Sequence, residues 1–351
     1  MDDRTALGAS PAPRFFLPRR MRLGCNRRRW RRLLVVAALL GGAFATASCA
    51  ARFDRLQPNL SLPTLEGRQF WTDVAWDSGW RVQRHAWTGH GRLLDGEGVR
   101  RAWGGEAACR RRLEEMRRAG SLDDPRRDTV VLVHGLARSH ASLATLGERL
   151  EKEGYDVVPF EYASTRAGVE EHGRALAHLL EGLPGNRRVS FVTHSLGGLV
   201  VRSACTFDGW RGRHAIGRVA TLAAPHEGAA VAGTVRRVGP VRWILGPSLS
   251  ELADGTAARL PAPPTEVLAV AAVRGSEEGW NPWVGGDDDG LVASSEALPS
   301  FADERLVVEG LHTFVMEDED VIEAVVAFLA GTELDDCSTA GPRGGIVEHP
   351  E

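Results

Sequence analysis

Val189-Ser190-Phe191-Val192-Thr193-His194-Ser195-Leu196-Gly197-Gly198-Leu199-Val200 is the stretch that decides the fold. Residues 189–193 have the apolar, β-branched character of a buried strand, and residues 195–206 have the pattern of a helix. A serine therefore sits where a strand runs directly into a helix, with small residues around it. Such a turn strains the serine backbone and lifts its hydroxyl above the sheet. The small neighbours are needed because strand and helix backbones come close there. The ideal spacing is Gly-x-Ser-x-Gly; Gly197 keeps the second glycine, while Thr193 takes the place of the first and is small enough to leave the turn feasible.

Alternating strand and helix signals surround this turn. Residues 129–133 are a continuous apolar run, as expected of a strand buried on both faces of a parallel sheet. Residues 140–153 have a helical pattern with Leu143, Leu146 and Leu150 on one side. Strands are predicted at 156–160, 216–222, 267–273 and 305–308, with further helices at 169–180 and 321–329. Strands separated by helices imply βαβ crossovers, hence a mostly parallel sheet with helices on both faces. Residues 225–264 interrupt the rhythm with Gly239-Pro240, Gly246-Pro247 and Pro261 to Pro264, which marks a small lid or cap insertion. Residues 52–125 differ again. Trp71, Trp76, Trp80, Trp87 and Trp103 lie here, half of the ten tryptophans, among Gly-rich turns and short segments. They predict a β-rich N-terminal extension, then a helix over 107–118, with the large rings packed on the following domain. The expected division is a leader at 1–51, the extension at 52–125, an α/β domain at 126–331 and a tail at 332–351 whose Asp, Gly and Pro content predicts disorder.

Neighbouring motifs extend the pattern. Val133-His134-Gly135-Leu136 follows the first strand of the α/β domain, Ala223-Ala224-Pro225-His226-Glu227-Gly228 follows the strand beyond the serine helix, and Asp289-Gly290-Leu291-Val292 precedes the last strand. Together with the turn at Ser195 they resemble the α/β-hydrolase superfamily, and within it the bacterial lipases and esterases, over roughly residues 128–331. The stretch over residues 80–95 also resembles the extension of a group of bacterial members. The resemblance implies an α/β-hydrolase fold and a serine nucleophile.

A serine hydroxyl is a poor nucleophile without a base, and the base needs an orienting acid. Chain order in this fold is nucleophile, acid, histidine. His312 lies four residues beyond the predicted strand 305–308, in a loop opening onto the carboxyl ends of the strands, where ligands bind in open α/β sheets. His194, the serine's neighbour, is expected to point away into a structural hydrogen bond, and His134 to support the oxyanion turn. His226 precedes every candidate acid, and His349 sits in the tail. The acid lies among Asp287, Asp288 and Asp289. Asp289 matches best, directly before Gly-Leu-Val and 23 residues before His312, with Asp303 in reserve. Three adjacent carboxylates also suit a solvated loop or a cation site, but their place between the last two strands, ahead of the histidine, favours the acid. An oxyanion needs two aimed main-chain N–H donors, expected from Leu196 and Leu136.

The 351 residues are 43% hydrophobic and 25% charged, with a formal net charge of −3, which excludes disorder of the whole chain, collagen and coiled coil. Residues 1–32 hold ten arginines against two acids, so the remainder is acidic and lacks the basic stripe that nucleic acid would require. Arg27-Arg28-Arg29-Trp30-Arg31-Arg32, the apolar run from Leu33 to Phe44 and the small residues after it have the pattern of an export signal. The run is shorter than the ~20 apolar residues of a comfortable transmembrane helix. Ala45-Thr46-Ala47 fits a small-x-small cleavage site, while Ala47-Ser48-Cys49 resembles a bacterial lipobox with Thr46 in the usual aliphatic position. The expected location is the cell envelope or the exterior, with membrane attachment through the N-terminal segment or a lipidated Cys49. Cys109, Cys205 and Cys337 show no paired spacing and propose neither a zinc site nor a disulfide. No phosphate loop, HExxH helix or EF-hand pattern occurs, so no cofactor or metal is expected. Thr313-Phe314 stands where some secreted lipases carry a calcium-binding Asp just after the histidine.

The expected function is hydrolysis of a small-molecule or lipid carboxylic ester by Ser195, His312 and Asp289 through an acyl-enzyme. Two other readings share these residues: acyl transfer to an alcohol, which differs in water exclusion alone, and a non-catalytic lipid-binding envelope protein.

Overall fold

Short apolar runs must find cover on both faces, and the chain supplies it in two sheets. The computed structural model describes residues 69–120, 122, 128–235, 239–332 and 344–346. The leader, Cys49 and residues 52–68 lie outside them. Strands β1 (Trp71–Asp77), β2 (Trp80–His85), β3 (His90–Leu94) and β4 (Arg100–Gly105) form an antiparallel meander in chain order. Ser78 and Gly79, both at positive φ, make the two-residue turn that matches the twist of β1 and β2. Helix α1 (Glu106–Arg118) covers this sheet by burying Cys109 and Leu113 in a cluster with Val74, Val82 and Leu93. The N-terminal extension is thus β-rich and followed by a helix, as its composition predicts.

Six parallel strands form the body of the second, seven-stranded sheet: β5 (Thr129–Val133), β6 (Asp156–Phe160), β7 (Arg188–His194), β8 (Ala215–Leu222), β9 (Val267–Val273) and β10 (Glu304–Glu309). They lie in the order β10-β9-β8-β7-β5-β6, and every neighbouring pair is parallel. β5 and β9 are buried along their whole length, which is why their sequences are unbroken apolar runs. Alternate residues enter different cores. Val131 and Val133 share one with Leu176 and Leu180 of helix α3 (Val169–Glu181) and Leu199 of α4 (Leu196–Ala204). Val130 and Leu132 share the other with Leu146 and Leu150 of α2 (Ala144–Lys152) and Val325 and Phe328 of the closing helix (Glu319–Ala330). β6 carries Pro159 at the far edge of the sheet.

The insertion over 225–264 is helical, with α5 (Ala230–Val235), α6 (Gly239–Ala253) and a short turn at Thr256–Arg259. α6 breaks at Gly246, φ 75°, ahead of Pro247. Beyond the break it is anchored: Leu249 and Leu252 are buried, and Glu251 accepts the Val169 N–H at the start of α3 (2.5 Å). The tail departs from its expectation in one place, where β11 (Gly344–Ile346) pairs antiparallel with β10. An open sheet edge offers unpaired N–H and C=O groups, and pairing with them orders a segment whose composition alone would not. Among the described residues no helix is long and apolar enough to cross a membrane.

The chain runs from β5 outward to the edge strand β6 and then returns to the other side of β5 as β7. Ligands in open α/β sheets bind at such a reversal, outside the carboxyl ends of the strands. The two sheets are joined through Trp76 of β1, which belongs to the same core as α3 and α4. Trp76→Ala is therefore expected to destabilise the whole chain by ~3 kcal/mol, read as a lower urea midpoint at which fluorescence and circular dichroism still change together.

Candidate active site

The turn between β7 and α4 brings the two backbones into contact. A Cβ on Gly197 would collide with the Val133 carbonyl oxygen, and one on Gly198 would lie 2.6 Å from the Ala224 Cβ. With α4 starting this close, Ser195 adopts φ 53° and ψ −124°, its N–H donating to the Leu222 carbonyl (2.9 Å). Thr193 is fully buried, and its hydroxyl donates to the Ala220 carbonyl (3.4 Å), so the residue in the first glycine position is accommodated.

Two loops at the same edge reach this hydroxyl. His312 follows β10 and Asp289 follows β9. The Ser195 Oγ is 2.9 Å from His312 Nε2, and His312 Nδ1 is 2.7 Å from Asp289 Oδ2. Asp289 and His312 are both buried. The second carboxylate oxygen, Oδ1, accepts the N–H groups of Leu291 (2.9 Å) and Val292 (2.8 Å), and the His312 N–H donates to the Asp289 carbonyl (2.9 Å). With the carboxylate on Nδ1, that nitrogen carries the proton, and Nε2 is left free to accept from the serine.

The neighbours of the triad residues are occupied in structural tasks. His194 does not turn away from the site; its ring lies 4.8 Å from that of His312, and its Nε2 donates to the His312 carbonyl (2.9 Å). His134 donates from Nδ1 to the Gly135 carbonyl (2.8 Å), while its own carbonyl accepts the Tyr162 hydroxyl (2.7 Å). The turn after β5 continues through Ala137, at φ 57°, whose N–H donates to Ser164 Oγ (3.0 Å). The main-chain N–H groups of Leu136 and Leu196 make no hydrogen bond among the described residues. Leu136 follows Gly135, which lies against Ser195, and Leu196 takes the first position of α4.

The adjacent carboxylates are equally committed. Asp287 accepts from the N–H groups of Arg274, Gly275 and Ser276, and Asp288 from those of Asn281 and Gly290. Their oxygens are spent on ordering the loop, and among the described residues no cluster of His, Cys, Asp or Glu is placed to hold a metal. Asp303 accepts the Val267 N–H (2.8 Å) at the opposite end of β9 and lies away from the triad. His226 is buried against Thr221 (3.1 Å). Cys109 and Cys205 are buried free thiols, with burial raising them to about 11 and about 12.

The family profile described as "Putative serine esterase (DUF676)" matches residues 126–232, which include the turn after β5 and the serine turn. The parallel sheet, its helices and the serine turn have the arrangement of an α/β-hydrolase fold. Among solved structures it is similar to the mature Bacillus licheniformis lipase BlEst2, at 22% identity and a TM-score of 0.47, over 59% of this chain and 93% of that one. It is also similar to a metagenomic carboxyl esterase, at 18% identity and a TM-score of 0.43, over 58% of this chain and 76% of that one. A phospholipase from Legionella pneumophila is similar at 20% identity and a TM-score of 0.37, over 49% of this chain and 45% of that one. Comparison with curated proteins finds no match. The stretch matched by the family profile covers less than half of the chain.

Tyr162 and Ser164, which hold the turn after β5, belong to no motif of the sequence. The one signal for them is a short polar stretch directly after a buried strand, at the edge where ligands bind.

Two expectations follow. Gly197→Ala should cost ~2 kcal/mol or more through overpacking against a backbone carbonyl, seen as a lower melting temperature with loss of ester turnover. The second concerns pH. Burial holds His172 down to about 4, His226 to about 3 and His194 well below the ordinary 6.5. Between those values and 6.5 the unfolded chain binds more protons than the folded one, so stability present above 6.5 is lost on acidification. Melting temperature should fall between about pH 7 and pH 5, above the usual carboxylate range, with each such histidine contributing up to ~1.4 kcal/mol per pH unit.

Proposed function

We propose that this α/β-hydrolase cleaves carboxylic esters through an acyl-enzyme formed on Ser195. The observation that carries the reading is the unbroken chain from Ser195 Oγ through His312 Nε2 and Nδ1 to Asp289, at 2.9 and 2.7 Å, on a serine held at φ 53°. Ser195 Oγ attacks the ester carbonyl carbon as His312 Nε2 takes its proton, and Asp289 stabilises the resulting imidazolium. The oxyanion accepts from the Leu136 and Leu196 N–H groups, each such donor being worth ~3 kcal/mol in the transition state. Collapse of the tetrahedral intermediate breaks the ester C–O bond, and His312 returns the proton to the leaving alcohol. Water then attacks the acyl-serine by the same route, releasing the acid and restoring the hydroxyl. Because both oxyanion donors are main-chain, leucine side chains are compatible with that role.

The residues flanking the triad support an ester with an apolar acyl group. Leu291, two residues after Asp289, is exposed, as are Leu311 and Phe314 on either side of His312 and Trp280 and Trp283 in the loop before Asp289. We also propose that the protein acts outside the cytoplasm, on the strength of the leader, and the mass of the chain purified from the source cell envelope would show whether processing ends at Ala47 or at a lipidated Cys49.

Hydrolysis of p-nitrophenyl butyrate tests the mechanism. Ser195→Ala is expected to lower kcat by up to ~10⁶-fold and to abolish labelling by a fluorophosphonate; turnover retained in this variant rejects the assignment. In a series of graded acyl length, Phe314→Ser should raise KM for octanoate about fivefold while leaving acetate nearly unchanged, since only the longer chain gains from apolar surface.

A further inference from the structure

Glu161 follows β6 directly and is fully buried, yet it takes no part in the proposed reaction. Burial alone would raise its pKa, but His134 and His140 outweigh burial and hold its carboxyl well below the usual carboxylate range. Oε2 accepts from the His140 main-chain N–H (3.0 Å) and from its ring Nδ1 (2.6 Å). Oε1 makes no hydrogen bond among the described residues and faces His134 Nε2 at 3.5 Å. His134 opens the turn that carries Leu136, and His140 closes it. The carboxylate therefore holds the His140 end of the turn by two hydrogen bonds and lies against His134 at the other, whose Nε2 accepts the Tyr162 N–H (3.5 Å).

Glu161 is itself held from the N-terminal sheet. Asp73 of β1 accepts the Glu161 N–H on Oδ2 and donates its own N–H to the Glu161 carbonyl, both at 2.8 Å. Asp73 Oδ1 accepts from Gln83 Nε2 (2.8 Å), and Gln83 Oε1 accepts from Arg92 Nε (2.9 Å) and Nη2 (2.7 Å). Asp73, Gln83 and Arg92 form one cross-strand row of β1, β2 and β3. Gln69 adds a second link, its Nε2 donating to the Arg138 carbonyl of the turn (2.7 Å) and its Oε1 accepting from Ser164 (3.3 Å) and Thr165 (3.4 Å). Burying a charge costs several kcal/mol unless it is paired, and apolar residues would pack such a site at lower cost. A chain of polar groups that ends on both flanks of Leu136 is therefore explained by placement of the turn better than by packing.

We infer that Glu161 is a positioning residue for the oxyanion turn, held by Asp73 of the N-terminal sheet, with Gln69 as a second brace. The inference rests on reading Leu136 as an oxyanion donor. A displaced N–H loses its aim at the transition-state oxygen while ground-state binding changes little, so the signature is a fall in kcat with KM preserved. On this account the N-terminal sheet belongs to the catalytic apparatus.

The test uses the full chain with two substitutions. Glu161→Gln keeps the shape of the side chain and removes its charge, and Gln69→Ala removes the second brace without entering the buried row. Glu161→Gln is expected to lower kcat for p-nitrophenyl butyrate about tenfold to a hundredfold with KM within about twofold. It should also weaken a trifluoromethyl ketone inhibitor, whose serine adduct carries the oxyanion, by a similar factor. Gln69→Ala should lower kcat about three- to tenfold with the same split. If Ser195→Ala, assayed alongside, stays active, the functional reading fails and this inference with it. If Ser195→Ala is inactive while both braced-turn variants are folded and keep wild-type kcat, the inference alone is overturned, and a lower melting temperature with unchanged kcat overturns it equally. Should Glu161→Gln fail to fold, Gln69→Ala decides by the same criteria.

Discussion

The edge that carries Ser195 depends on how closely α4 approaches the end of β5. Without a side chain at Gly197 the helix can begin against the Val133 carbonyl, and any larger residue would force the two apart. That contact leaves Ser195 in a backbone conformation costing of order 1–3 kcal/mol, which the surrounding sheet holds in place. The same contact sets the first turn of α4 next to the turn after β5, where a Cβ on Gly135 would lie 3.0 Å from the Ser195 Cβ. The positive end of the helix then faces the place where negative charge would develop.

Much of this was legible in the linear chain. The strands announced themselves because a sheet covered on both faces demands unbroken apolar runs, and 129–133 and 267–273 supply them. That Ser195, Asp289 and His312 would meet was legible because a wound sheet delivers its loops to one edge in a fixed order, and Asp289 and His312 follow β9 and β10. Other features left no local trace. Asp73 and Glu161 are 88 residues apart and meet only because β1 packs beside the end of β6. His194, just before the strained serine, makes the structural hydrogen bond expected of it, but its partner is the His312 carbonyl, so its ring lies beside that of His312 instead of away from the site.

The loop between β9 and β10 shows how irregular backbone is ordered where it passes from the surface at residues 274–276 to the buried Asp288 and Asp289. Main-chain N–H groups removed from water need acceptors, and a loop has no ladder to provide them. Asp287, Asp288 and Asp289 provide them by accepting from seven such groups, those of Arg274, Gly275, Ser276, Asn281, Gly290, Leu291 and Val292. The acid beside the histidine is thus one member of a set of three doing the same structural work, and what distinguishes it is the single oxygen left over.

Both margins of the six-stranded parallel sheet are blunted. On one side β11 covers β10 through Leu306, Val307 and Val308, and on the other Pro159 interrupts the donor row of β6. Among the described residues, a strand from a second molecule would find a three-residue edge at β11 and an interrupted donor row at β6, which leaves so apolar a sheet little ladder for fibrous self-association.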